Sequence, residues 1–260
     1  ERLGALLGVD FSDGDRGAAD GPPAGPLDVE MLQLTDAAGI AAVADGATVP
    51  LGVATVERPP SGDAGPELGD GLALSDGDHG WWVPATLLDS DACRDALVAL
   101  FGPDGPGLVA HDAKPLLRAL LRRGVDEVAL VLDTALAGYL LDPADATYDL
   151  KVLLERHAQR VLPAIGPPEG QLDLTGEIAD PAVEAGHRAA AAAVLRGPLL
   201  EAMEAQGLVA LNEDLEVPLV AVLARMEELG VGVDVAELTR LRDELTAECD
   251  RLRTAVHEAA

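Results

Sequence analysis

Over residues 107–162 the chain switches repeatedly between a short apolar run and a helical leucine stripe, and this constrains the fold more than any other feature. Leu108-Val109-Ala110 follows the Gly- and Pro-rich FGPDGPG, which makes it a short buried strand. Leu116, Leu117, Leu120 and Leu121 then repeat at helical spacing, so 114–123 is an amphipathic helix. Gly124, after two arginines, stops it. Leu132-Asp133-Thr134 opens a second helix with Leu136, Tyr139 and Leu140 on one face, and Asp142-Pro143 breaks that helix. A third, over 148–157, is built around Leu150, Leu153 and Leu154. Strands joined through helices mean an α/β fold.

The rest of the chain supplies partners for this block. Residues 29–34 read as a first strand, and Thr35-Asp36 starts a helix through Val43 with Thr35 as its N-cap. Residues 48–56 are apolar and β-branched at alternate positions, as in a central strand, with Pro50 keeping the first residues out of the ladder. Leu72–Leu74 and Trp81–Val83 flank Asp76-Gly77-Asp78-His79-Gly80 and form a hairpin by their turn chemistry. Trp81-Trp82 then puts one ring on each face, at least one of them in the core, with stacking on a base as the alternative for the other. Asp89 or Ser90 caps a helix through Leu100, and residues 59–69 and 164–181 are loops. Residues 182–206 form an alanine-dominated helix that packs closely, kinked or restarted at Pro198. Leu215, Leu219, Val222, Met226 and Leu229 step by four and three as a core stripe, ended by Gly230 and Gly232. Asp234 and Glu237 make a capping-box-like start to a last helix, with Leu238, Leu241, Leu245, Cys249, Leu252 and Val256 along one side. Alone, that helix reads as a surface or coiled-coil helix.

Composition narrows the function classes. Hydrophobic residues are 48% and aromatics 2%, so the core is leucine, valine and alanine. A formal net charge of −28, with lysine only at Lys114 and Lys151, repels phosphate and weakens nucleic-acid binding. Cys93 and Cys249 give no disulfide framework, and no Cys/His spacing suggests zinc. Residues 1–9 lack the basic and apolar regions of a signal peptide, and nothing approaches the roughly 20 apolar residues of a membrane span, so a soluble cytoplasmic protein is expected. A phosphate-binding glycine loop and a nucleophile elbow are both missing. Asp76, Asp78 and His79 offer a turn that holds a cation or is simply solvated. Lys114, Arg118, Arg122 and Arg123 form a local basic cluster, suited to a phosphate contact or to pairing with the abundant carboxylates.

The ordered series Val109 to Leu116, then Asp133-Thr134, then Tyr139-Leu140-Leu141-Asp142-Pro143 resembles the 3′–5′ exonuclease-like domain of bacterial DNA polymerase I, in family A. Downstream, LEVPLVAVLARMEELGVGVD is similar to the helix and Gly-Val turn that open the polymerase domain of the same family. The resemblance implies a ribonuclease-H-like (DEDD exonuclease-like) mixed sheet flanked by helices, followed by an α-helical segment that starts the polymerase thumb. It divides the chain into 1–26, a flexible linker with the tail of a preceding 5′-nuclease domain; 27–207, the exonuclease-like domain; and 208–260, the first helices of the polymerase domain.

Exonucleases of this fold hold two divalent metals with four carboxylates. The resemblance lays those positions on Gly52 and Ala54 of the central strand, on Leu116, and on His187, with Val183 at the preceding tyrosine. None is acidic. Asp112 and Glu184 are conceivable stand-ins with nothing to complete, and Asp133 is expected to cap rather than catalyse. The implied function is a catalytically inactive, structural exonuclease-like segment of a template-directed DNA polymerase acting in replication and repair. No metal or cofactor is expected here, magnesium belonging to the polymerase domain. Primer-template DNA is met through the parent protein, with weak or no binding by the segment itself, which is a monomer in a nucleoid-associated, cytoplasmic setting. Two other readings are an active metal-dependent exonuclease with displaced ligands and an acidic protein-interaction module.

Overall fold

The structure, a computed structural model, describes residues 25–55, 68–163 and 180–259. The readings of residues 1–24 and most of the two loops expected over 59–69 and 164–181 lie outside the described residues. The chain divides into two compact units, Glu1–Arg225 and Met226–Ala260.

In the first unit, β1 (Met31–Gln33) leads to α1 (Ala37–Gly46), and then come β2 (Leu51–Thr55), β3 (Gly71–Ser75) and β4 (Gly80–Pro84). A short helical turn and a 3-10 turn, Asp91–Cys93, precede α2 (Arg94–Phe101), followed by β5 (Leu108–Ala110), α3 (Ala113–Leu121), β6 (Leu130–Asp133), α4 (Thr134–Leu141) and α5 (Leu150–Ala158). The long α6 (Pro181–Gln206) and a π-turn, Asn212–Glu216, continue into α7 (Val217–Leu229). The second unit begins within α7, at Met226, and holds α8 (Val235–Ala259).

The six strands lie in the order β1-β4-β3-β2-β5-β6. β2, β3 and β4 form an antiparallel meander, while β5 and β6 add to β2 in parallel and β1 adds to β4 in parallel. Strand alternation sends successive side chains to opposite faces. Leu51 and Val53 therefore join Ile40, Leu97, Leu117 and Leu120 in the core under α1, α2 and α3. Val109 and Leu132 point the other way, toward Leu153, Leu154, Leu195 and Leu199 of α5 and α6. Trp82 packs on that second face with Ala73, Ala185 and Ala189, while Trp81 borders the first, so the two rings do part company. Helices on both faces of a mixed sheet make the fold α/β, as expected.

Several elements differ from the sequence reading, each for a local reason. Leu130–Asp133 is a strand paired with β5, and the helix begins one residue later at Thr134; the run was too short to separate from the leucines that follow. Asp36, not Thr35, caps α1, accepting the Gly39 N–H at 2.8 Å, because a carboxylate at that position reaches a free amide of the first turn. Ser90 stands at the N-cap position of the 3-10 turn that leads into α2 but makes no side-chain cap bond, and Asp89 instead accepts Arg123 at 2.7 Å. Pro198 does not restart α6, which runs from Pro181 to Gln206 with the proline inside it. Burial of Leu199 and Met203 beyond the proline holds the helix together past the missing N–H. On α7 the buried residues are Val220 and Ala224, whereas Leu219, Val222, Met226 and Leu229, with Leu215 of the preceding π-turn, are exposed. The stripe is helical as expected, but the small-residue face packs inward.

Candidate functional site

The C-terminal ends of the parallel strands β2 and β5 open on a cavity of about 260 Å³. A crevice at the carboxyl ends of parallel strands, where connections from neighbouring strands lead to opposite sides, is where open α/β sheets bind ligands. Val53, Ala54, Thr55 and Ala110 form its strand wall. His111 and Asp112 come from the turn before α3, Pro115 and Leu116 from α3 itself, Leu150 from α5 and Arg188 from α6.

One buried carboxylate organises the turn. Asp133 is 5% exposed at the end of β6. Its Oδ1 accepts the N–H of Ala135 at 2.9 Å and of Leu136 at 3.3 Å, which caps α4. The same side chain reaches across to the next strand connection, where Asp112 N–H donates to Oδ1 at 3.1 Å and Ala113 N–H to Oδ2 at 2.7 Å. Four backbone donors at two helix starts offset the desolvation of this charge. Asp112 itself takes φ of 52°, a left-handed conformation that Asp tolerates better than most residues, and makes no side-chain cap bond to α3. Asp133 has taken that job. The cap expected of Asp133 is observed, and its reach to the second helix start was not legible.

His111 Nδ1 lies 2.9 Å from Thr134 Oγ1. Burial pushes its pKa down; Asp133, Asp112 and Asp149 pull the other way, and the Arg188 charge adds to the depression. His111 is therefore neutral at pH 7.

The expected site positions separate. Gly52 and Ala54 face α6 as a pair, but at Gly52 a Cβ atom would stand 2.0 Å from the Ala189 carbonyl oxygen and 2.7 Å from the Ala193 nitrogen. No side chain fits there. Ala54 and Leu116 line the cavity. His187 does not line it; this half-buried residue has its Nδ1 buried without a hydrogen bond, and burial lowers its pKa against the pull of Asp28. Arg188, one residue on, takes the cavity position. The sequence count missed it by a single step along a helix, a rotation of roughly 100°. Val183 is exposed.

A two-metal centre requires several carboxylates converging from different elements. Among the residues lining the cavity the donors are Asp112, His111 and the Thr55 hydroxyl, joined by a cationic Arg188. Among the described residues no group of three or more His, Cys, Asp or Glu is placed to hold a metal ion. The residues present do not fit a metal pair, and no reaction step is routed through one.

Other candidates are tied into structure. Asp76 Oδ1 accepts Asp78 N–H at 2.9 Å and His79 N–H at 2.7 Å, and its Oδ2 meets His79 Nδ1 at 3.1 Å, so its oxygens serve the hairpin turn. Of the basic cluster, Arg123 pairs with Asp89. No helix among the described residues is long and apolar enough to cross a membrane.

No family model matches the chain. It is similar to DNA polymerase I of Mycobacterium leprae, 32% identical over 220 residues, which are 83% of this chain and 23% of that protein. DNA polymerase I of Geobacillus stearothermophilus is 30% identical over 63% of this chain and 19% of its own length. The chain thus spans about a quarter or less of the curated relatives it matches. Among solved structures, the POL domain of Pol1 from M. smegmatis, in complex with DNA primer-template and dNTP, superposes with a TM-score of 0.65 at 24% identity, over 84% of this chain and 35% of that one. Brucella melitensis NrnC bound to pGG superposes with a TM-score of 0.53 at 13% identity, over 82% of this chain and 98% of that one. At these identities the superpositions speak for the fold.

Proposed function

Related to bacterial DNA polymerase I of family A along this segment, the chain is, we propose, the exonuclease-like part of a template-directed DNA polymerase that has no 3′–5′ exonuclease activity. Residues 27–207 form the exonuclease-like domain and residues 208–260 begin the polymerase domain. The domain is a structural spacer that needs no metal. The parent protein, a nucleoid-associated, cytoplasmic monomer, engages primer-template DNA and uses magnesium in a polymerase domain beyond this segment.

The observation that carries the reading is Gly52. The strand position that would supply the first carboxylate is pressed against the α6 backbone, 2.0 Å from the Ala189 carbonyl oxygen at the place of a Cβ. Gly52 is therefore a packing requirement of the α6–β2 seam, and a carboxylate cannot occupy it without moving the helix. Arg188 strengthens the reading, since a guanidinium in the cavity repels divalent cations.

The test is incubation of the chain with 3′-labelled single strands in magnesium and, separately, in manganese. No trimming is expected in either. Metal-dependent shortening of the label that persists after Asp112→Asn would establish an exonuclease with displaced ligands and sink the proposal, and shortening lost in that variant would sink it equally while naming the ligand.

A further inference from the structure

We propose that the groove between α1 and the sheet docks a basic amphipathic helix of a protein partner. The groove has a volume of about 350 Å³, and the sequence of α1 is what leaves it open. Gly39, Ala42, Val43, Gly46 and Ala47 line it at i, i+3, i+4, i+7 and i+8, a single helical face on which Val43 is the largest side chain. A Cβ at Gly46 would meet nothing within 4 Å. The rest of the apolar lining includes Leu32 of β1, Trp81 of β4 and the buried Leu34 and Leu51.

Two of these residues hold apolar surface in water. Leu32 is 62% exposed on an edge strand, and Trp81 is half-buried. Trp82 is committed to the opposite face of the sheet, so Trp81 alone of the pair is available to a partner. An indole and a leucine along a concave apolar surface are the kind of groups that a partner's anchor side chains cover. The small residues of α1 let a second helix approach closely, with its own large side chains filling the space that α1 leaves.

The charge of the surroundings selects the partner. The segments that build the groove, residues 25–55 and 68–93, hold nine Asp or Glu and no Lys or Arg. Asp36 and Asp45 are exposed at the two ends of α1, and Glu30 is exposed just before β1. His79, the one base among these residues, stands between Asp76 and Asp78, so the turn stays negative even with its ring protonated. α2, which packs against α1, adds only Arg94 and Asp95, whose charges cancel. Such a field attracts lysine and arginine. It repels phosphate, and it repels a second copy of this chain, whose own formal charge is −28. Aliphatic anchors flanked by cations fit both the lining and the field. This inference does not depend on the polymerase reading.

The experiment follows the indole N–H resonances of Trp81 and Trp82 in the whole chain while three synthetic peptides are added. One is built of leucine and lysine at helical spacing, one has glutamate in place of lysine, and one has serine in place of leucine. Expected is a shift at Trp81, with Trp82 unmoved, from the leucine–lysine peptide alone. A42R/G46L fills and recharges the groove at two exposed positions of α1, and it should weaken that binding about tenfold or more. D45K should weaken it about threefold, and D243K, which alters an exposed ion pair on α8, should leave it unchanged. The proposal is overturned if no peptide moves Trp81, if the glutamate or serine peptide moves it as strongly, or if A42R/G46L binds as well as the unmutated chain. It is overturned too if D243K loses as much as D45K, since the attraction would then belong to the chain's overall charge. A Trp81 shift on raising the chain's own concentration would give the groove to a second copy, and one on adding a single-stranded oligonucleotide would give it to a base; either result also overturns the proposal.

Discussion

Helices α6 and α8 are nearly the same length, 26 and 25 residues, and they have opposite fates. α6 is written mostly in alanine, yet Ala185, Ala189, Ala190, Ala191, Ala192, Leu195, Leu199 and Met203 are all buried. α8 carries the cleaner leucine stripe, and Leu238, Leu241, Leu245, Leu252 and Val256 are all exposed. Its regularity comes instead from the Asp234 cap on Glu237 N–H at 3.0 Å and from ion pairs along its surface, such as Arg251 with Glu248 at 2.6 Å. The difference teaches that helical period and burial are separate properties. Small side chains let a backbone press onto a sheet, where dispersion contacts accumulate. Large ones placed at the right period still need a partner before they contribute.

That comparison can be broken in several ways. The largest expected effect is at the α6–β2 seam, where Gly52→Asp forces a side chain into the Ala189 carbonyl and should destabilise the domain by about 3 kcal/mol or more in urea unfolding. A variant of unchanged stability would mean that α6 moves freely over the sheet. Leu195→Ala, inside α6 and fully buried, should cost about 3 kcal/mol on the same assay. At the turn organised by Asp133, Asp133→Ala leaves four backbone N–H groups without their acceptor, at a cost of about 2 kcal/mol. Retention of full stability would show that water replaces the carboxylate.

The pH dependence of the buried region should be smaller again. Burial depresses His111 and His187, so both are neutral in the folded chain while the unfolded chain protonates first on acidification. Their contribution is complete above the ordinary histidine value of about 6.5 and is lost as pH falls toward the depressed folded values. Urea midpoints measured from pH 7.5 downward should fall below that value, and His111→Gln/His187→Gln should flatten the fall; an unchanged slope would assign it to carboxylates. The smallest effect belongs to α8. Leu245→Ala, at a position 66% exposed, should change stability by no more than about 0.5 kcal/mol, with α8 amides exchanging far faster than those of α6.

How far the sequence reaches is clear from particular residues. The period of Leu116, Leu117, Leu120 and Leu121 was enough for α3, and the Asp76–Gly80 turn was enough for the β3–β4 hairpin, because both signals are local. The family likeness was carried by short ordered blocks such as Val109 to Leu116, and the relatives bear it out. Four-residue β6 was missed because its partner β5 is more than 20 positions away in the chain, and nothing within the run itself distinguishes it from a helix start. Arg188 was missed for a related reason: which residue of a helix points into a cavity depends on its rotation against the sheet.

Sequence by itself determined the α/β class, the helix periods, the acidic balance and the lack of carboxylates at Gly52, Ala54 and Leu116. Tertiary structure alone decided that a side chain at Gly52 must displace its neighbours, since that depends on the Ala189 carbonyl, brought in from 137 positions along the chain. It likewise decided that α7 turns Val220 and Ala224 inward and leaves its leucines out. A residue's chemistry is written at its own position, whereas its packing depends on which distant backbone comes to rest against it.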